Sequence, residues 1–117
     1  MRIRKVKIEI KSLVKSLNEF AETFEKVRKG EYVEPKEVVS FTNFDVFRSF
    51  FTDKRMQLLK IIKEKKPKSI YQLAKLAKRN YKNVYDDVKL LKYYGLVTNK
   101  DNKVRTDFDK IEVDVVF

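Results

Sequence analysis

The stretch from residue 69 to residue 95, SIYQLAKLAKRNYKNVYDDVKLLKYYG, contains two short helical patterns separated by a polar turn and closed by a glycine. Ser69 and Gln72 have the spacing of a capping box, which predicts that the first helix begins at this point. Asn80 is a favourable N-cap for a second helix over 81–94, and the glycine after that helix supplies its end. Two short helices joined by a tight turn are typical of a helix-turn-helix unit.

The second helix has an apolar inner face and a polar outer face. Val84, Val88 and Leu91 follow the spacing i, i+4, i+7, which predicts that they are buried. The remaining side chains suit major-groove recognition, because an asparagine can bond adenine in a bidentate way and a lysine can reach guanine or phosphate. A tyrosine can bond a phosphate or contact a thymine methyl group. The predicted outer face comprises Tyr81, Lys82, Asn83, Tyr85, Asp86 and Lys89.

Three outer-face residues also have other interpretations. Asn83 could serve only the start of the helix, and Tyr85 could pack against a neighbouring element. Asp86 would repel a phosphate, so near DNA it should orient a basic neighbour or face a cytosine amino group.

The sequence after Gly95 predicts a β-hairpin. A strand over 96–98 leads into a turn-rich tip over 99–102, and a returning strand follows over 103–106. A helix-turn-helix followed by a hairpin with a basic tip predicts a winged helix, in which the wing contacts the DNA backbone or the minor groove. The basic wing residues are Lys100, Lys103 and Arg105.

The positive charge is concentrated in the same part of the chain. The 117 residues carry 28 basic and 17 acidic side chains, a net charge of +11. Residues 52–106 alone have 16 basic and 5 acidic side chains, whereas 1–51 and 107–117 carry net charges of +3 and −3, which cancel. A localised excess of this kind favours a polyanionic partner.

The N-terminal part has a different pattern. Residues 1–10 predict a strand that alternates from Lys5 onward, and Ser12 caps a predicted helix over 13–29. This helix has one apolar stripe, which we expect to be covered partly by its own sheet and partly by a second subunit. The predicted dimerisation residues are Leu13, Leu17, Phe20, Phe24 and Val27.

The remaining segments complete an α+β fold. A linker around Pro35 precedes a predicted strand over 37–42, an apolar helix over 44–51 and a helix over 53–65. Residues 109–117 predict a final strand that joins the N-terminal strand. We therefore expect a strand-helix-strand extension over 1–51, which mediates dimerisation, and a winged helix-turn-helix domain over 52–117.

The run LLKIIKEKKPKSIYQLAKLAKRNYKNVYDDVKLLKYYGLV resembles the archaeal MarR-like winged-helix group of transcriptional regulators, whose pattern is roughly SI-x-ELA, a turn, and Y-x-NV-x-x-DV-x-x-L-x-x-x-GL. The matching positions are Ser69, Ile70, Leu73, Ala74, Tyr81, Asn83, Val84, Asp87, Val88, Leu91, Gly95 and Leu96. Two positions depart from the pattern: Gln72 replaces a glutamate, and Lys78-Arg79-Asn80 replaces Gly-Arg-Asp. The resemblance covers most of the second half and implies DNA binding and transcriptional control.

The function expected from the sequence is that of a dimeric, sequence-specific regulator of double-stranded DNA. The predicted DNA-binding residues are Ser69, Tyr71, Arg79, Asn80, Tyr81, Lys82, Asn83, Tyr85, Asp86, Lys89, Lys100, Lys103 and Arg105. Two alternatives remain: a protein-interaction module, such as an antitoxin that also regulates its own expression, and a binder of structured RNA.

The composition also predicts what this chain lacks. It has no cysteine and no histidine, which excludes disulfides and catalysis by either residue type. No carboxylates form a recognisable catalytic pair or metal cluster, so we expect neither an enzyme nor a metal or cofactor. Because the sequence has neither a signal peptide nor an apolar run of about 20 residues, we expect a cytoplasmic protein without a membrane partner.

Overall fold

The computed structural model describes residues 4–34, 38–101 and 103–117 and divides the chain into two compact units. One unit contains the described residues up to Phe50 together with 110–117, and the other contains 51–109. The predictions for residues 1–3 of the first strand, for Pro35, for the strand start at 37 and for residue 102 of the hairpin tip lie outside the described residues.

The described residues form five helices and five strands. In chain order these elements are β1 (Lys5–Ile10), α1 (Leu13–Arg28), β2 (Val38–Phe41), α2 (Phe44–Phe50), α3 (Asp53–Lys65), α4 (Ile70–Ala77), α5 (Tyr81–Tyr93), β3 (Thr98–Lys100), β4 (Lys103–Arg105) and β5 (Lys110–Val115). The α+β class predicted from the sequence is confirmed. None of the described helices is long and apolar enough to cross a membrane.

The first unit is built on a three-stranded parallel sheet with the order β2-β1-β5. Ile8 and Ile10 are buried on one face of β1, and the register places Phe41 of β2 beside Ile10. Phe47 and Phe50 of α2 pack on Phe41, with ring centroids 5.7 and 5.6 Å away. The predicted apolar helix after β2 therefore covers this apolar face, and the predicted joining of β5 to β1 is confirmed.

The other face of β1 is charged, and the polar side of α1 meets it. The Lys11 ammonium lies 2.7 Å from the Glu9 carboxylate of β1 and is also paired with Glu19 of α1. These carboxylates raise the pKa of Lys11 above its ordinary value of 10.5, mainly through the hydrogen bond with Glu19. The apolar stripe of α1 remains exposed, and no residue of this helix is buried. The expectation that the sheet covers part of this stripe is therefore wrong.

The second unit has one apolar core, to which three helices and the hairpin contribute. Thr52, Ser69 and Asn80 each cap a helix with a side-chain oxygen that accepts a backbone N–H, as their sequence positions predict. The buried side chains of this core include Leu58, Leu59, Ile62, Leu73, Ala74, Val84, Val88, Leu91, Leu96, Val97 and Val104. The core gives α5 a fixed inner face.

The turn between α4 and α5 is formed around Lys78, whose backbone is left-handed with a φ of 55°. The amide of Lys78 donates to the carbonyl oxygen of Lys75, and the amide of Arg79 donates to that of Ala74, both at 3.1 Å. These bonds form a Schellman motif, in which glycine is usual because a side chain in this conformation costs about 1–2 kcal/mol. The turn thus closes with lysine at a conformational cost.

The hairpin formed by β3 and β4 begins later than the sequence suggested. Leu96 and Val97 are buried and precede β3, so they belong to the core rather than to a strand. Lys100 and Lys103 are the last cross-strand pair before the tip. Thr98 donates a hydrogen bond of 3.4 Å to the carbonyl oxygen of Arg105 near the other end of the hairpin.

Candidate nucleic-acid interface

The outer face of α5 is the centre of the candidate interface. All six residues predicted for it are exposed: Tyr81, Lys82, Asn83, Tyr85, Asp86 and Lys89. The inner positions Val84, Val88 and Leu91 are between 0% and 2% exposed. The Asn83 amide makes no hydrogen bond with another described side chain or backbone group. It is therefore available to an external ligand.

Three tyrosine rings form an exposed row across the two helices. The ring of Tyr71 on α4 lies 6.5 Å from that of Tyr81, which lies 6.1 Å from that of Tyr85, one helical turn further along α5. The ammonium of Lys75 is 4.6 Å from the centre of the Tyr71 ring, within range of a cation–π contact. We call these three rings the tyrosine row; it presents apolar ring surface beside a cationic group.

Asp87 holds the inner side of α5 to the helix and the turn that precede it. Its carboxylate accepts hydrogen bonds from Arg55 of α3 at 3.1 Å and from Arg79 of the turn at 2.8 Å. Side-chain exposure is 13% for Asp87, 20% for Arg55 and 19% for Arg79. Asp87 is therefore a structural charge that bonds the preceding helix and turn, and these two ion pairs fix the orientation of α5 within its unit.

Two arginines predicted to contact DNA are instead used within the protein. The guanidinium of Arg79 is directed inward to Asp87, and its Nη1 atom is buried with no hydrogen-bond partner among the described residues. Nη1 of Arg105 donates to the carbonyl oxygens of Pro67 and Val104 at 2.7 and 2.8 Å. These contacts connect the hairpin to the loop between α3 and α4, so both arginines position the interface rather than extend from it.

Ser69 and Asn80 serve the helix starts. The Ser69 hydroxyl accepts the amide N–H of Gln72 at 3.0 Å, and the Asn80 side chain accepts that of Lys82 at 2.8 Å. The Gln72 side chain accepts the amide N–H of Lys68 at 2.7 Å, one residue before the position that a capping box predicts. The capping oxygens of Ser69 and Asn80 are thus already occupied by backbone amides.

The hairpin tip and the helices supply exposed lysines around α5. Lys100 and Lys103 are exposed on the hairpin, and Lys75 and Lys78 are exposed on α4 and the turn. Sequence reasoning missed Lys75 as part of the site, although its i, i+4 spacing from Tyr71 was the available signal. In the described part of the chain, no three His, Cys, Asp or Glu side chains are grouped as metal ligands would be.

Comparison with known proteins identifies one family. Residues 50–113, more than half of the chain, match the model of a family described as HVO_A0114. No curated protein and no solved structure matches this chain. The matched range contains α3, α4, α5 and the hairpin, which together carry the candidate interface.

Proposed function

This chain belongs to the HVO_A0114 family, and we propose that its second unit is a winged helix-turn-helix of the MarR-like kind that binds double-stranded DNA in a sequence-specific manner. In this proposal α5 is the recognition helix in the major groove, and the β3–β4 hairpin is the wing. The protein acts as a transcriptional regulator, and its surface supplies recognition without catalysis.

The observation that carries the proposal is the division of α5 into a rigid inner face and a free outer face. The inner face is fixed by the core and by the two ion pairs of Asp87. The outer face offers the Asn83 amide, which can bond the N6 and N7 atoms of adenine in a bidentate way. A rigid support matters because base recognition requires hydrogen-bond donors and acceptors at fixed positions.

The tyrosine row supports DNA more specifically than charge alone does. Contiguous exposed apolar surface marks interaction sites, and the three rings form one such row on the helix pair that also carries Asn83, which lies about 160° around α5 from Tyr81 and Tyr85. In the major groove the apolar feature that differs between bases is the thymine methyl group. We therefore assign the row to thymine contacts, with the hydroxyl groups free to bond phosphate.

The lysines supply the part of the affinity that does not depend on sequence. Lys78, Lys100 and Lys103 are exposed near the turn and on the hairpin, and Lys82 and Lys89 are exposed on α5. Each phosphate contact releases condensed counterions, so the logarithm of the affinity falls with the logarithm of the salt concentration by about 0.9 per contact. A strong salt dependence is therefore part of the proposal.

Selection of bound sequences from random duplex DNA tests this function directly. We expect the wild-type protein to enrich a motif that contains adenine at a fixed position. Asn83→Ala should lose that preference and bind the motif about 5- to 150-fold more weakly, which corresponds to about 1–3 kcal/mol for one bidentate contact. Asn18→Ala is the matched control, because Asn18 is an exposed asparagine on α1, outside the proposed interface.

If the wild-type protein enriches no motif, or if Asn83→Ala retains the wild-type preference, α5 does not recognise bases. Tighter binding to duplex RNA than to duplex DNA in a competition assay would instead assign the basic surface to RNA.

A further inference from the structure

Helix α1 exposes a continuous apolar surface on the first unit. Beside the exposed Val14, five large apolar side chains of this helix share one face and are between 56% and 68% exposed. We call them the α1 seam; its residues are Leu13, Leu17, Phe20, Phe24 and Val27. The rings of Phe20 and Phe24 stack at 6.5 Å, so the surface is also contiguous. Monomeric proteins rarely expose apolar patches larger than about 300–600 Å².

The seam is exposed because α1 presents its polar side to its own sheet. Glu19 shares the Lys11 ammonium with Glu9 of β1, and the Lys15 ammonium bonds the carbonyl oxygen of Phe117 at 2.6 Å. These contacts face the sheet and are stabilised by charge rather than by apolar burial. The unit therefore holds the helix in place and leaves its apolar side for something outside this unit.

The spacing of the seam specifies a helix as its partner. Its residues are separated by 4, 3, 4 and 3 positions, which is a strict seven-residue repeat with apolar a and d positions. A seam of a and d positions is the pattern of two helices that pack side by side, and Val14 and Ala21 widen the apolar surface at the e positions. From Leu13 to Val27 the seam runs along about 21 Å of the helix axis.

The residues that flank the seam favour a second copy of the same chain. The e and g positions beside a coiled-coil seam set partner choice through their charges. Here the four flanking residues within the seam are uncharged: Val14, Ser16, Ala21 and Thr23. Two identical helices therefore meet without repulsion, and an oppositely charged foreign helix would gain nothing. The nearby Arg28 is already paired with Glu25 of its own helix.

The area is also sufficient for a dimer. Each seam side chain leaves on the order of 100 Å² exposed, given that an aromatic side chain buries about 150–250 Å² in full. With all of this area covered, ten such side chains from two copies would bury about 1,000 Å², which is the lower bound for a specific interface.

We propose that α1 pairs with α1 of a second copy of this chain through the seam, in a two-helix coiled coil with Phe20 at its centre. This pairing does not depend on DNA binding. If the proposed function also holds, the dimer presents two recognition helices and selects two half-sites about one helical turn apart.

Disulfide trapping tests the pairing, because the natural chain has no cysteine. In a parallel pair Leu13→Cys forms a disulfide with its own copy. In an antiparallel pair it forms one only when refolded together with Val27→Cys. Asn18→Cys is the control, since Asn18 lies on the same exposed helix about 140° around from the centre of the seam. Either seam disulfide supports the proposal. If the seam cysteines form no more disulfide-linked dimer than Asn18→Cys does, the proposal is overturned.

The mass in solution gives an independent measurement without DNA. We expect the wild-type protein to sediment at twice the chain mass of 14.1 kDa. Leu17→Glu should sediment at the single-chain mass with unchanged helical circular dichroism. A monomeric wild-type protein at micromolar concentration, or a dimeric Leu17→Glu, overturns the proposal, and a monomer would favour a different protein as the partner of the seam. Both assays omit DNA, so their failure is distinct from a failure of DNA recognition.

Discussion

Helices α1 and α5 carry the same apolar spacing and have opposite surroundings. Leu13, Leu17 and Phe20 on α1 follow i, i+4, i+7, and Val84, Val88 and Leu91 on α5 do the same. The α5 residues are at most 2% exposed, whereas those of α1 are at least 56% exposed. The spacing thus predicts a helix and its apolar side, but it does not predict which part of the molecule covers that side.

The difference comes from what each unit places beside the helix. Next to α5, the buried Leu58 of α3 and Leu73 of α4 supply apolar surface to the same core. Next to α1, the chain supplies the Lys11–Glu9–Glu19 network and the charged face of β1, while Phe47 and Phe50 cover the apolar face from α2. Topology, rather than helix periodicity, therefore decides burial.

The largest expected difference in stability is between two truncations, one on the apolar side of α5 and one on the apolar side of α1. Leu91→Ala should lower the free energy of unfolding by about 2–5 kcal/mol at every protein concentration, because it opens a cavity in a closed core. Phe24→Ala should change it by less than about 0.5 kcal/mol in dilute protein, as is usual for exposed positions. Urea unfolding followed by circular dichroism at two protein concentrations measures both.

Concentration dependence sharpens this comparison. In the wild type and Leu91→Ala, raising the protein concentration should raise the unfolding midpoint, because dimers add stability by mass action. In Phe24→Ala the unfolding midpoint should rise less with protein concentration. A loss of about 2 kcal/mol or more for Phe24→Ala in dilute protein would mean that the α1 stripe is covered within a single chain.

The next largest loss of stability is expected from breaking the ion pairs that hold α5. Asp87→Ala leaves the guanidinium groups of Arg55 and Arg79 without their shared carboxylate. Removing one partner of a fully buried pair costs about 3–5 kcal/mol, and the residual exposure here reduces the expected loss to about 2–3 kcal/mol. Thermal unfolding measures the loss. Asp86→Ala, at the exposed neighbouring position, is the control and should be close to neutral.

Local signals in the sequence predicted much of the second unit. The starts of α3 and α4 follow from the N-caps Thr52 and Ser69, because a cap acts within one helical turn. The left-handed Lys78 was not predictable, since lysine carries no preference for that conformation. The inward positions of Arg79 and Arg105 were also missed, because their partners are 8 and 38 residues away along the chain.

In the N-terminal unit, too, local patterns predicted the strands but not the direction or register in which they pair. Alternation from Lys5 to Ile10 and the apolar alternation after residue 109 predicted two strands that join. Their parallel direction and the register of Ile8 beside Val113 come from the path of the chain between them. A period of two assigns side chains to the faces of a strand and contains no information on strand direction.

A smaller loss of stability is expected at the polar contact between α1 and its sheet. This contact holds α1 in place as the Asp87 ion pairs hold α5. Lys11→Met leaves the carboxylates of Glu9 and Glu19 facing each other, and solvent near Glu19 limits the loss to about 1 kcal/mol. Because the carboxylates raise the pKa of Lys11, its contribution is complete below pH 10.5 and is lost as the pH rises through the folded pKa. The stability difference between wild type and variant should therefore persist at pH 7 and shrink in strong alkali. A difference that increases above pH 10.5 would contradict this network.

The smallest effect tests the outer face of α5. Replacing thymine by uracil in the selected duplex removes only the methyl groups, and one buried methyl group contributes about 0.8 kcal/mol, or about fourfold in affinity. We expect the wild-type protein to lose about that factor on uracil DNA. Tyr85→Ala should bind both duplexes equally, because the ring that contacts the methyl group is gone. Tyr32→Ala, at an exposed tyrosine of the first unit, should discriminate as the wild type does. If Tyr85→Ala still distinguishes thymine from uracil, the assignment of the methyl contact to Tyr85 is wrong. Another part of the tyrosine row would then contact the methyl group, and α5 would be rotated in the groove relative to the orientation that its exposed face indicates.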